Sequence, residues 1–433
     1  MNKKLFLGIC SLLFCFILGC SSPAPKTDAV VIWHWMTDRQ DAFLALARKY
    51  EQEQGVKIKF ELYAPSDIYS QKIVAAAQAR ILPDIYGVLD KKAVVASFIQ
   101  SGYIADLTEE FGKDNGAWKN TLFPKALAVN QFGEGNVYKI KPGIYGVPID
   151  VTNMQMLYNK KLLNKAGIQN PPKTFDEFLE AVKALGRVGI GGLVSGFGER
   201  WLADCFASNY AFNIMGEEKI MATYRGEVPY TDPDWIETLG VFEKLSKNGA
   251  LIEGTVTKAN KYAEQDFALE RAAFAFNGSW CVNVYNEMNP NLEYGVMLPP
   301  AISNKFSLKI WGGAGSSFMV NNASLNKERA VAFLKWLTAK EQQVFLSQET
   351  KNLPANREAL VGIPEILSEF GLAMDNSTHP AIWEQNEDSI VTEAFHKGIQ
   401  SIIIGEKTPQ EVAQEVQSVK VRQMEKMKKR QQR

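Results

Sequence analysis

The stretch "VVIWHWMTDRQDAFLALARKYEQEQGVKIKFELY" (30–63) holds a strand, a helix and a second strand in that order. Val30 to Trp35 form a short apolar run. From Asp38 the period changes, and Phe43, Leu46, Ala47 and Tyr50 share one helical face until Gly55 stops it. Val56, Ile58, Phe60 and Leu62 then alternate with polar residues, the pattern of a half-buried strand. A further helix over about 67–80 leads to "PDIYGVL", and another from Lys91 to Ser101 is closed by Gly102. Strands alternating with helices in this way predict a parallel sheet flanked by helices. Such sheets bind ligands beyond the C-terminal ends of their strands, which predicts a cleft near Trp33, His34, Trp35, Asp84 and Tyr86.

Further along, "KTFDEF" supplies a capping box, with Thr174 at the N-cap and Glu177 three residues on. Asp232-Pro233 opens another helix with proline in its first turn. Apolar strands recur at "GLVSGFG", "AAFAFNG", "LEYGVML" and "SSFMVNN", and from Asn326 the chain reads as almost wholly helical. No fixed period of self-similarity appears, which excludes a solenoid. The closing "VKVRQMEKMKKRQQR" carries seven basic side chains and one acidic, and reads as a solvated helical tail.

At the other end, Lys3 and Lys4 precede an uncharged run from Leu5 to Leu18. That run is shorter than the roughly 20 residues a membrane-spanning helix needs. A basic start, a short apolar middle and small residues before a cut are the parts of an export signal. The sequence Ile17-Leu18-Gly19-Cys20 resembles a lipobox, in which cleavage leaves Cys20 to be lipidated, with Ile where Leu is usual. "SSPAPKTDA" (21–29) then reads as a flexible tether. Past Cys20 only Cys205 and Cys281 follow, and two unpaired buried thiols are expected. The 48 basic and 48 acidic side chains cancel, which argues against nucleic acid as a partner. A chain of this length calls for two cores rather than one.

Several stretches in order resemble one family, the extracellular solute-binding proteins of bacterial ABC importers, in the group that carries sugars and oligosaccharides. They are "LPDIYGV" (82–88), "YGVPIDVTNMQMLYNKKLL" (145–163), "NPPKTFDEFLEAVKAL" (170–185), "FAFNGSW" (274–280), "WGGAGSSFMVNNASLNKERAVAFLKWLTAKEQQ" (311–343) and "LPANREAL" (353–360). The resemblance implies an α/β fold of two lobes, each a mainly parallel sheet flanked by helices, joined by a hinge the chain crosses several times. Crossings are expected near Pro148, near Pro299-Pro300 and around 338–345. This assigns 30–148 and 300–340 to lobe 1 and 149–299 and 341–420 to lobe 2. Residues 1–19 are then a signal peptide, 20–29 a lipid-anchored tether and 421–433 a basic tail.

A groove for sugar wants flat aromatic rings for the C–H faces of the pyranose and Asp, Asn, Arg or indole N–H for its hydroxyls. Trp280 follows "NGS", where the family often places a stacking ring, and Trp311 precedes Gly312, whose missing side chain would let a ligand approach the backbone. Trp33 and Trp35 share one face of their strand. Asp84, Asp150, Asn153 and Arg357 are the polar candidates, while Trp201 and Trp383 flank loops and stay open as further candidates. His34 is the histidine expected at the mouth, with His379 on a loop and His396 on a helix surface. Scattered histidines and cysteines exclude a zinc spacing, and no nucleophile elbow, phosphate loop or dinucleotide fingerprint occurs. A glycosidase reading could propose Asp84 and Asp150 as its carboxylate pair. No metal, cofactor or catalytic residue is expected. The expected function is saccharide capture by a monomer, lipid-anchored in the cell envelope, that delivers its ligand to ABC permease subunits. The alternative is a surface-tethered adhesion or sensing module.

Overall fold

A computed structural model describes residues 28–431 except 90, 91 and 384. The expected signal peptide, Cys20 and most of the expected tether lie outside the described residues. Strands β1 (Ala29–His34), β2 (Lys57–Leu62) and β3 (Ile85–Tyr86) alternate with helices α1 (Gln40–Gln54), α2 (Ser66–Ala79) and α3 (Lys92–Gln100). Both β2 and β3 lie parallel to β1, as the alternation requires. Next to β3 runs the strand Ile310–Val320, antiparallel, and next to that Val147–Asn159, again antiparallel. Ala272–Gly278 and then Gly191–Val194 complete the path. The parallel character therefore holds in the first lobe. In the second, Gly191–Val194 and Ala272–Gly278 run parallel, as do Ser377–Thr378 and the start of Ile310–Val320, while the crossing strand Val147–Asn159 runs antiparallel to its neighbours.

The lobes are separated by their cores. Ile32, Phe43, Phe60, Ile85, Phe318 and Phe333 pack on one face of the first-lobe sheet. The alternating residues Tyr86 and Met319 pack with Tyr69 and Phe98 on the other. In the second lobe Met156, Leu193 and Phe274 face one helical layer, and Leu157, Val194 and Ala275 face another. Cys205 and Cys281 are both free and buried. Thr174 and Glu177 form the expected capping box.

Two of the three crossings shift. Val147–Asn159 carries the chain from the first lobe to the second, as expected near Pro148. Pro299-Pro300 do not return it. Ala301 exchanges backbone hydrogen bonds with Lys173 and Phe175, which holds the loop on the second lobe until Ile310–Val320 crosses back. The helix Lys340–Thr350 still belongs to the first lobe, since Leu346 packs with Phe333 and the Gln343 amide donates to the Ile149 carbonyl at 3.1 Å. The last crossing follows at Leu353–Pro354, paired with Val151 and Asp150. The final helix, Pro409–Gln431, runs through the expected tail and is fixed by Val412, Val416 and Lys420, which it buries at one-turn intervals.

Candidate functional site

Between the lobes lies a cavity of about 1150 Å³. This exceeds the roughly 300–1,000 Å³ of pockets that enclose one drug-sized molecule. Its floor is Ala314–Ser317, the middle of the returning strand. The first lobe contributes Trp35, just past the C-terminal end of β1, together with Leu89, Lys92 and Tyr138. The second contributes Glu199, Trp201 and Asp204 at the start of the helix Arg200–Arg225, with His379 and His396 from the later chain.

Trp35 is held by its neighbours. Its ring lies 5.1 Å from that of Tyr69, whose hydroxyl lies 3.0 Å from both the Trp33 and the Gly87 carbonyl oxygens, with its one proton to share between them, and accepts from the Gly87 backbone N–H at 2.9 Å. A Cβ on Gly87 would lie 2.2 Å from the indole, so the glycine is required where it stands. Across the cavity Trp201 is 42% exposed, and its indole N–H donates to Glu199 at 2.8 Å. The other oxygen of Glu199 accepts from the Asn260 amide at 2.7 Å. Gly198 permits this contact, since a Cβ there would come within 2.5 Å of the Thr257 backbone. Two indoles on opposite lobes, each held from behind, are placed to cover the faces of flat ligands with little loss of side-chain entropy.

The charges divide by lobe. Lys92 donates to the Gln131 carbonyl at 2.6 Å, and burial pulls its ammonium down to about 8. His379 is lowered to about 4 by burial and then by Lys92, so it is neutral at physiological pH, with Nδ1 accepting from the Ala381 amide. Opposite stand the carboxylates of Glu199 and Asp204, the latter 3.2 Å from His396 Nε2.

The sequence candidates are distributed differently from expectation. Trp35 lines the cavity. Trp280 stands one ring behind, with its centroid 5.9 Å from that of Trp201, and Trp311 stands 5.6 Å behind His379. Trp33 faces Tyr63 and Lys72 on the outer surface of the first lobe. Asp84 precedes β3 and so sits at the wrong end of the sheet for the groove, accepting from the Val31 amide and the Ser324 hydroxyl. Asn153 is fully buried and donates to the Phe370 carbonyl at 2.7 Å, with Gly312 opposite it in the ladder. Arg357 pairs with Asp375 on the surface. Asp150 is buried beneath the floor against Arg39, which also donates to Ser316. Desolvation outweighs the pull of Arg39 and raises the Asp150 carboxyl to about 6. Asp84 and Asp150 thus do not face one another across a ligand. His34, expected at the mouth, is fully buried, perpendicular to the stacked rings of Phe43 and Phe60, because its side of β1 is the core side. Lys92, His379 and His396 are not among the residues expected from the sequence to bind, and Trp201 is left open there beside its loop. Trp201 alone carried a signal, since "SGFGERW" joins a strand end to a helix start.

Residues 45–365 match a family described as bacterial extracellular solute-binding protein. A binding protein of Brucella abortus (strain 2308) is 25% identical over 396 residues, covering 86% of each chain. A maltooligosaccharide ABC transporter solute-binding lipoprotein of Streptococcus pneumoniae serotype 4 is 26% identical over 378 residues, covering 83% of this chain and 82% of its own. Among solved structures, the apo form of RafE from Streptococcus pneumoniae superposes with a TM-score of 0.71 at 17% identity, covering 90% of this chain and 96% of that one. Among the described residues no group of His, Cys, Asp and Glu is suited to hold a metal ion, and no helix is long and apolar enough to cross a membrane.

Proposed function

This chain belongs to the bacterial extracellular solute-binding proteins, and from that premise we propose that it captures a saccharide of more than one ring and passes it to an ABC permease. The observation that carries this reading is the groove itself: about 1150 Å³, with Trp35 on one lobe, Trp201 on the other and the crossing strand as floor. A ligand that touches both indoles favours the arrangement in which the lobes approach, and that differential contact is what drives closure. The closed form docks on the permease. Trp35 and Trp201 stack on sugar faces, with Lys92, Glu199, Asp204 and His379 pairing with hydroxyls. Trp280 and Trp311 support the rings in front of them. The relative from Streptococcus pneumoniae named for maltooligosaccharide supports a saccharide over other solutes.

The protein binds without turnover. Isothermal calorimetry over a glycan panel is expected to give a dissociation constant of about 1 μM or tighter, near −8 kcal/mol, with the glycan recovered intact. Heat from none of the glycans, or consumption of any of them, overturns the reading.

We also propose that Cys20 anchors the chain, acting through two acyl chains, since one gives only marginal attachment. Cys20→Ala is expected to lose lipid labelling and leave the membrane fraction while binding ligand as before. Retention in the membrane would contradict the anchor.

A further inference from the structure

At the inner end of the groove, on the second lobe, a side pocket of about 100 Å³ opens past Asp204, Pro380, Asn386 and Glu387, which line both spaces. With water taking about 30 Å³ in the liquid, this is room for a substituent and not for a sugar ring. The pocket is walled by Phe212, Tyr224, Tyr230, Trp235, Trp383 and Phe395. The polar edges of three of these rings are already engaged. Trp383 donates to Thr378 at 2.7 Å, Trp235 to Thr223 at 2.8 Å and Tyr230 to Glu387 at 3.0 Å. What these rings have left to offer an occupant is carbon surface and the negative potential of their faces.

The charged groups lining the pocket are carboxylates, Asp204 and Glu387, and among the described residues no Lys, Arg or His lines it. Lys420 offsets Glu387 from behind. Among the described side chains Asp204 has an imidazole, His396, 3.2 Å away, and its own side chain is 34% exposed. An aromatic box with a carboxylate at its mouth is suited to a small cation. A neutral acetamido or hydroxymethyl group would fill the volume but offer the carboxylate and the ring faces no charge.

We propose that this pocket receives a protonated amino group carried by the saccharide, so that the groove prefers amine-bearing sugars to their neutral counterparts. This rests on the reading of the groove as a saccharide site. The ammonium enters past Asp204 and sits against the faces of Trp383 and Tyr224, while the ring that bears it remains in the groove.

The test is calorimetry of the full chain with matched α- and β-linked oligosaccharides in three forms: neutral, N-acetylated and free amine. The free-amine form is expected to bind on the order of tenfold tighter than either other form. Asp204→Asn is expected to remove most of that preference, so that in the variant the free-amine form binds within about twofold of the neutral form. Tetramethylammonium chloride, as a probe of the unmodified protein, is expected to weaken binding of the amine form more than that of the neutral form. Neutral or N-acetylated forms binding as tightly as the amine, with Asp204→Asn without effect on selectivity, overturns the cation pocket and leaves saccharide capture standing. Absence of binding by all three forms overturns both. If Asp204→Asn does not fold, Trp383→Leu and the tetramethylammonium competition decide the matter by the same preference.

Discussion

Replacing Trp35 and Trp201 together with alanine is expected to weaken saccharide binding by two to three orders of magnitude, about 3–4 kcal/mol. Each indole is a large ring held by its own supports, Tyr69 behind Trp35 and Glu199 at the edge of Trp201, so neither must be ordered when ligand arrives. Each single substitution removes one stacking face and is expected to cost about 1–3 kcal/mol. The pair is expected to cost less than the sum of the singles if closure depends on both lobes meeting one ligand, since loss of either ring already forfeits the drive to close. Stability should change little, because Trp201 is 42% exposed and Trp35 only partly buried. Calorimetry of the two singles and the double, with circular dichroism as a check on folding, measures this. Binding within a few-fold of wild type in the double variant would remove the indoles from the site.

The second large effect concerns stability. Lys420→Met is expected to cost about 3–5 kcal/mol of unfolding free energy. The ammonium bonds both oxygens of Glu387, at 2.6 and 2.8 Å, and the Tyr224 carbonyl at 2.8 Å, with the two side chains 5% and 7% exposed. Methionine of similar length leaves the carboxylate buried, with the Tyr230 hydroxyl and the Asp388 amide as donors. The loss is therefore the desolvation of an unpaired charge and not merely the absence of a bond. The double variant Glu387→Gln/Lys420→Met is expected to recover much of it, because an amide needs no counter-charge. Urea denaturation of the three proteins reads both numbers. An unaffected midpoint in the single variant would show that water reaches the pair and that the last helix is not fastened there.

The first lobe was legible because its signals are local. Alternation over 56–62, the helical stripe from Phe43 to Tyr50 and Gly55 at the stop lie within a few turns of chain, and β1, α1 and β2 form where they indicate. The crossings were harder to place. Pro299-Pro300 reads as a break in regular structure, but whether a break crosses between lobes depends on what holds the next residues, here Lys173 and Phe175 from far upstream. The candidate site was least legible. Its lining gathers Trp35, Lys92, Trp201, Ser316 and His379 from five separated stretches, and burial of each was decided by neighbours distant in sequence. A tryptophan at a strand end is chemically the same whether it faces ligand, as Trp35 faces the cavity, or supports another ring, as Trp280 does. Asp84 is instructive in another way. It precedes its strand, and a rule that puts ligands at C-terminal ends already places it away from the groove.

The measurement that bears most directly on the account is a crystal structure of residues 21–433 with the tightest-binding glycan of the panel. Electron density for a saccharide is expected between Trp35 and Trp201, above Ala314–Ser317, touching both lobes. Density confined to one lobe, or a glycan bound outside the groove, would contradict it.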